Sequence, residues 1–157
     1  MYTKDWHPVN VNIRIALPGE LEWINQRYGE IDFLQSAPDD YQAVAEIDGR
    51  PAGLGRIVPA GPRVGELGGM YVFDEFRGTG LSKKIIAFLA AAPDFDFLYC
   101  LPFANLESLY AGFGFHLIED TSGVPDKVLK KYRWCAEFYS EPVILMGRAA
   151  GVTTAGT

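Results

Sequence analysis

The sequence predicts a domain of the α/β class (α+β type), a mixed and mostly antiparallel sheet with helices on its faces. Three observations carry this reading. Strand-length apolar segments recur along most of the chain. An Asp48-Gly49 pair joins two of them as a tight hairpin, which makes those neighbours antiparallel. Helical stretches separate only some of the strands, so the order is β-α-β-β-β-α-β-α-β-(α)-β rather than strict strand–helix alternation.

Val9 to Ala16 alternates apolar and polar residues, the signature of a half-buried strand. Pro18 then suits a first helical turn, and Leu21, Ile24 and Tyr28 follow at helical spacing, so a helix is expected over 18–28, ended by Gly29. Tyr41 to Ile47 and Pro51 to Val58 are the two arms of the hairpin. The run Pro59-Ala60-Gly61-Pro62 breaks the chain. Val64 to Phe73 is a fourth strand, and its Gly65, Gly68 and Gly69 suggest a bulge or a close approach by another group.

Leu81 to Ala92 places Leu81, Ile85, Phe88, Leu89 and Ala92 on one helical face. Phe97 to Phe103 is apolar throughout, as a strand buried on both faces requires. Asn105 is placed to cap a short helix over about 106–112, and Phe115 to Glu119 forms another strand. Val124 to Tyr132 is a short helix. Trp134 to Tyr139 fits either helix or strand, and Pro142 to Gly147 is the last strand. Residues 1–148 thus make a single domain, followed by a flexible small-residue tail over 149–157.

Composition narrows the function. With 14 Lys and Arg against 20 Asp and Glu, the net charge is −6, and a nucleic-acid-binding surface needs the opposite balance. Residues 1–50 hold nine acids against four bases, a net −5. That lobe either attracts a cationic amine or serves as a solubilising surface. Cys100 and Cys135 form no metal-binding pattern or disulfide framework. The N-terminus lacks the apolar core of a signal peptide, and the longest apolar run, Ile85 to Ala92, is too short to span a bilayer. A cytoplasmic protein with no membrane, nucleic-acid or metal partner is the expectation.

Chemistry concentrates in Tyr71 to Ser82, where a strand ends, a glycine-rich turn Arg77-Gly78-Thr79-Gly80 follows, and a helix begins. Such a turn leaves backbone N–H groups unpaired and pointing at one spot, backed by the positive end of the helix dipole. A diphosphate is a natural guest. Neither the P-loop pattern nor the dinucleotide fingerprint is present. One helix and one strand later come Asn105, Tyr110 and Gly114-Phe115.

These two segments, in this order, resemble the GNAT superfamily of N-acetyltransferases. The match runs through Arg77-x-x-Gly80-x-Ser82, then Asn105 and Tyr110 five residues apart, then Gly114-Phe115. Glu66 to Val72 is similar to the family's central strand. The resemblance covers about residues 11–119 in element order and is specific mainly over 66–82 and 105–115. Ser82 stands where the family has Gly or Ala.

The resemblance implies a GNAT-like sheet with a splayed central strand, acetyl-CoA as cosubstrate, and an amine of a small molecule or peptide as acceptor. It places the pyrophosphate on the backbone of Arg77, Gly78, Thr79, Gly80, Leu81 and Ser82. The backbone of Met70, Tyr71 and Val72 would pair with the pantetheine arm, and Asn105 would hydrogen-bond it. Lys83 and Lys84 either meet the 3′-phosphate or form a solvated helix face. Tyr110 is the general acid for the departing thiolate. Glu66 is the general base, directly or through water. The family's other base position, five residues before Asn105, is here Cys100. Trp23, Tyr28, Phe33, Trp134 and Tyr139 are candidates for the acceptor wall. Two alternatives stay open: a GNAT-fold module that senses acyl-CoA without turning it over, and a homodimeric assembly.

Overall fold

A computed structural model describes residues 10–151. Its strands are β1 (Val11–Ile15), β2 (Tyr41–Ile47), β3 (Arg50–Gly61), β4 (Val64–Val72), β5 (Phe97–Cys100), β6 (His116–Leu117) and β7 (Met146–Ala149). The α-helices are α1 (Leu21–Glu30), α2 (Leu81–Ala90), α3 (Glu107–Ala111) and α4 (Asp126–Phe138). The strands form one sheet in the order β1-β2-β3-β4-β5-β7-β6, in which only the β4–β5 pair is parallel. The mixed, mostly antiparallel class expected from sequence is the observed one.

Several boundaries move, each for a local reason. The helix expected over 18–28 divides into a 3-10 turn at Pro18–Glu20 and α1, which runs through Gly29 to Glu30. β3 continues through the supposed breaker at Pro59 to Gly61. Its pairing with β2 starts at Ile57, so beyond that point one edge carries no partner and Pro59 loses no ladder bond. Trp134 to Phe138 extends α4 and is helix. The last strand is Met146–Ala149 rather than 142–147. Val143 makes only an isolated bridge to Phe103, and Ala149 pairs with Phe97. Of the expected N-terminal strand and C-terminal tail, residue 9 and residues 152–157 lie outside the described residues.

Side-chain alternation sorts the helices onto two faces. A methyl group on Gly55 would strike Ile85 and Leu89, so α2 packs on the face that Gly55 presents. There Leu81, Ile85, Ile86 and Leu89 are buried, each contributing roughly 1.5–3 kcal/mol relative to exposure. Arg56, the next residue, presents the opposite face. Its guanidinium lies over the ring of Tyr28 on α1. Arg56 pairs with Gly68 and Val58 with Glu66, so Glu66 also emerges on that face, where it meets Lys131 of α4. Helices α1 and α4 therefore cover the face opposite α2.

Candidate active site

β4 is bent where it leaves β5. Leu54 pairs with Tyr71 and Arg56 with Gly68, so the single residue Gly55 faces two residues, Gly69 and Met70. This is a β-bulge, and it rests on Gly69, whose φ of +61° disfavours any side chain. The Tyr28 hydroxyl donates to the Gly69 carbonyl at 2.7 Å and pins the bulge. Parallel pairing with β5 covers only Val64–Leu67 against Phe97–Cys100. Past Cys100 the chain instead follows its other neighbour, with Ile144 donating to the Pro102 carbonyl. The edge of β4 from Gly68 to Val72 is left open towards β5.

The open edge leads at one end to the glycine turn. Gly78 and Gly80 have φ of +80° and +76°, and α2 begins directly after Gly80. A Cβ at either glycine would point into empty space, so the turn forms an open cradle. Among the described residues no acceptor takes the N–H groups of Gly78, Thr79 or Gly80, whereas the Arg77 amide is engaged by the Asp74 carbonyl at 3.3 Å. The Thr79 hydroxyl ties the turn internally to the Phe76 carbonyl. The Leu81 side chain is buried, so that residue offers only its amide. Such a cradle fits a diphosphate. Asn105 is exposed inside a 3-10 turn at Ala104–Leu106. It does not cap α3, whose N-cap is Leu106 without a side-chain bond, because the 3-10 turn shifts the helix start.

The other end of the gap opens into a cavity of about 420 Å³ on the α1 and α4 face. Its floor includes Glu66, Gly69, Cys100 and Tyr110, and its walls include Phe33, Trp134, Phe138 and Tyr139. Tyr110 is 6% exposed, and its ring meets Phe115 edge to face at 5.8 Å. Burial, with a smaller contribution from Cys100, pushes its phenol well above the usual tyrosine range, so it stays protonated. Burial, and then the charge of Glu66, likewise pushes the Cys100 thiol up. A nucleophilic cysteine needs the thiolate, so this site disfavours that role.

The Glu66 carboxyl is buried, with Lys131 Nζ donating to its two oxygens at 3.0 and 3.1 Å. Sequence reading missed Lys131 and also Arg56, both of which face the cavity. The one available signal for Arg56 was a charge inside the otherwise apolar run Leu54 to Val58. Of the expected acceptor wall, Phe33, Trp134 and Tyr139 line the cavity. Tyr28 and Trp23 do not: Tyr28 is a fully buried prop for the bulge, and Trp23 packs against the core. Of the N-terminal acids among the described residues only Asp32 reaches the cavity. Glu20 and Glu46 are held by Arg14, and Glu30 by Arg27.

Lys83 lines a second cavity of about 450 Å³ between α2 and α3, while Lys84 stays exposed. Among the described residues no cluster of metal-ligating side chains occurs, and no helix is long and apolar enough to cross a membrane.

A bulged central strand that parts from its parallel neighbour, with an amide cradle at one end and a cavity at the other, makes one continuous candidate site. The chain belongs to the acetyltransferase (GNAT) family, whose model matches residues 11–115. Solved structures share the fold. N-acetylglutamate synthase from Neisseria gonorrhoeae, complexed with coenzyme A and N-acetyl-glutamate, is 20% identical with a TM-score of 0.62. The alignment covers 89% of this chain but 35% of that one, so this chain spans about a third of the synthase. A Mycobacterium tuberculosis protein in complex with CoA is 20% identical with a TM-score of 0.64, covering 88% and 98% of the two chains. A mutant of the spermidine N-acetyltransferase SpeG from Vibrio cholerae is 13% identical with a TM-score of 0.60, covering 88% and 93%. No curated protein sequence matches the chain significantly.

Proposed function

We propose that the protein transfers the acetyl group of acetyl-CoA to a primary amine by direct attack within a ternary complex. The observation that carries this reading is the continuity of three features: the amide cradle at 78–82, the open β4 edge, and the cavity floored by Tyr110 and Glu66. The cradle would take the pyrophosphate. The β4 edge at Met70, Tyr71 and Val72 would pair with the pantetheine amides as an added strand. Asn105, exposed in the 3-10 turn that follows β5, would bond the same arm. That lays the thioester at the mouth of the cavity.

Tyr110 then serves as the general acid. As the amine nitrogen bonds the acetyl carbon, the C–S bond breaks, the phenol gives its proton to the departing sulfur, and the proton then shed by the new amide nitrogen restores the phenol. A phenol kept protonated by burial suits this step, since no base competes for its proton at neutral pH. The attacking amine must first lose a proton, because an alkylammonium has a pKa of about 10 and no lone pair. Among the described residues Glu66 is the one buried carboxylate that lines the cavity. Lys131 donates to both its oxygens, so a water bridging Glu66 and the ammonium is the more accessible route for that proton.

The test is release of free thiol from acetyl-CoA in the presence of an amine panel. Acetyl-CoA binding together with thiol release on at least one amine is the expected result. Binding with no thiol release on any amine would instead support an acyl-CoA sensor.

A further inference from the structure

Arg56 is a buried charge with no anionic partner among the described residues. It sits in the middle of β3, is 4% exposed, and lines the cavity. A guanidinium does not shed its proton to escape burial, and a buried charge is costly unless it is paired. Its Nη1 donates to the Leu34 carbonyl at 2.9 Å and the Ser36 hydroxyl at 2.8 Å, both neutral acceptors. The Tyr28 ring lies 4.5 Å from its Cζ. Its Nε is buried with no hydrogen-bond partner. Among the described residues no carboxylate is within ion-pair distance. Glu66, on the same face, is already bound to Lys131, and Asp32 is exposed.

We propose that Arg56 binds a carboxylate of the acceptor, so that the substrate is an amino acid or a similarly small amino-carboxylate. The proposal rests on the acetyl-transfer reading above and names the substrate class for that same cavity. Strand register supports the fit. Arg56 pairs with Gly68, two residues along β4 from Glu66, so the two side chains are diagonal neighbours about 7–8 Å apart at their bases. One amino-carboxylate spans that gap, with its carboxylate at Arg56 and its amine directed towards Glu66 and the thioester. Its side chain would face the cavity wall, where Trp134 and Phe138 stack at 4.5 Å while 48% and 63% exposed. The capture of a plain cation by the acidic N-terminal lobe is thereby replaced by recognition of a zwitterion.

The experiment reads binding rather than turnover, so its failure is separable from failure of the transfer chemistry. Calorimetry with CoA present measures affinities for a panel of N-acetyl amino acids, led by N-acetylphenylalanine, and for their C-terminal amides. Each pair differs only in the carboxylate. The expected result is that the carboxylate member binds about 10- to 100-fold tighter in the parent protein, as befits a charge-assisted bond to a buried guanidinium. Arg56→Gln should abolish the preference. Arg56→Lys, which keeps the charge but loses the fork, should reduce it, and it serves in place of Arg56→Gln if that variant does not fold. If Arg56 only braces the loop at Leu34 to Ser36, its variants will weaken acid and amide alike and leave the ratio unchanged. That result, or a parent protein that binds no carboxylate more tightly than its amide, overturns the proposal.

Discussion

Tyr110→Phe removes one oxygen and nothing else, which makes it the sharpest probe of the chemistry. The phenyl ring keeps its edge-to-face contact with Phe115 at 5.8 Å and its place in the core, so little change in fold or thermal stability is expected. Because burial holds the phenol protonated, the parent enzyme should keep its acid throughout the neutral and mildly alkaline range. General acid catalysis contributes about 10²–10⁴-fold, equivalent to about 3–5 kcal/mol of barrier. Under saturating acetyl-CoA and amine, kcat should fall by that factor. Acetyl-CoA affinity, which the proposed site assigns to backbone amides at the cradle and along β4, should stay within about twofold. Steady-state thiol release gives the first quantity and calorimetry the second. An unchanged kcat would show that water or another group protonates the thiolate. A parallel loss of affinity would show that Tyr110 holds the cofactor rather than acting as an acid.

Three further outcomes follow from the same geometry. Gly80→Ala should cost about 1–2 kcal/mol through its left-handed φ of +76° and leave acetyl-CoA binding measurable, whereas Gly80→Asp should abolish it by placing a charge in the cradle. Equal affinities for acetyl-CoA in the two variants would remove the pyrophosphate from this turn. Glu66→Gln should lower kcat/KM most at neutral pH and less at high pH, where more of the amine is already neutral. A pH–rate profile over pH 6–9 identical to the parent's would move the base to bound water. Hydrogen bonds from Arg14 hold Glu20 at about 2 rather than 4.5. The unfolded chain therefore binds more protons in this window, and stability is lost as pH falls from about 4.5 to 2. Thermal melts of Glu20→Gln should show a shallower decline there than the parent's, and an equal decline would place the acid sensitivity elsewhere.

The parts of the site that were legible in sequence are those written into the local backbone. Glycines at 78 and 80 announce a turn with positive φ followed by a helix, because few other residues tolerate that conformation. Gly69, with its φ of +61°, announced the bulge for the same reason. Strand interiors and the α2 face were legible from their periods, since burial of one face imposes period 2 or 3.6. Boundaries were less so. Pro59 looked like a breaker because its tolerance depends on a neighbouring strand having ended, which no local pattern records.

The sequence by itself determined the fold class, the cradle, and Tyr110 as a residue of the family motif, because each depends on residues close together in the chain. Tertiary structure alone decided what Glu66 and Arg56 meet. The partner of Glu66 lies 65 residues away on α4, and Arg56 is buried only because α1 and its following loop fold over β3. A carboxylate or guanidinium looks alike in sequence whether it is solvated, paired or left seeking an anion. Only the packing of distant elements removes the water and leaves a charge to be balanced by its neighbours or by a ligand.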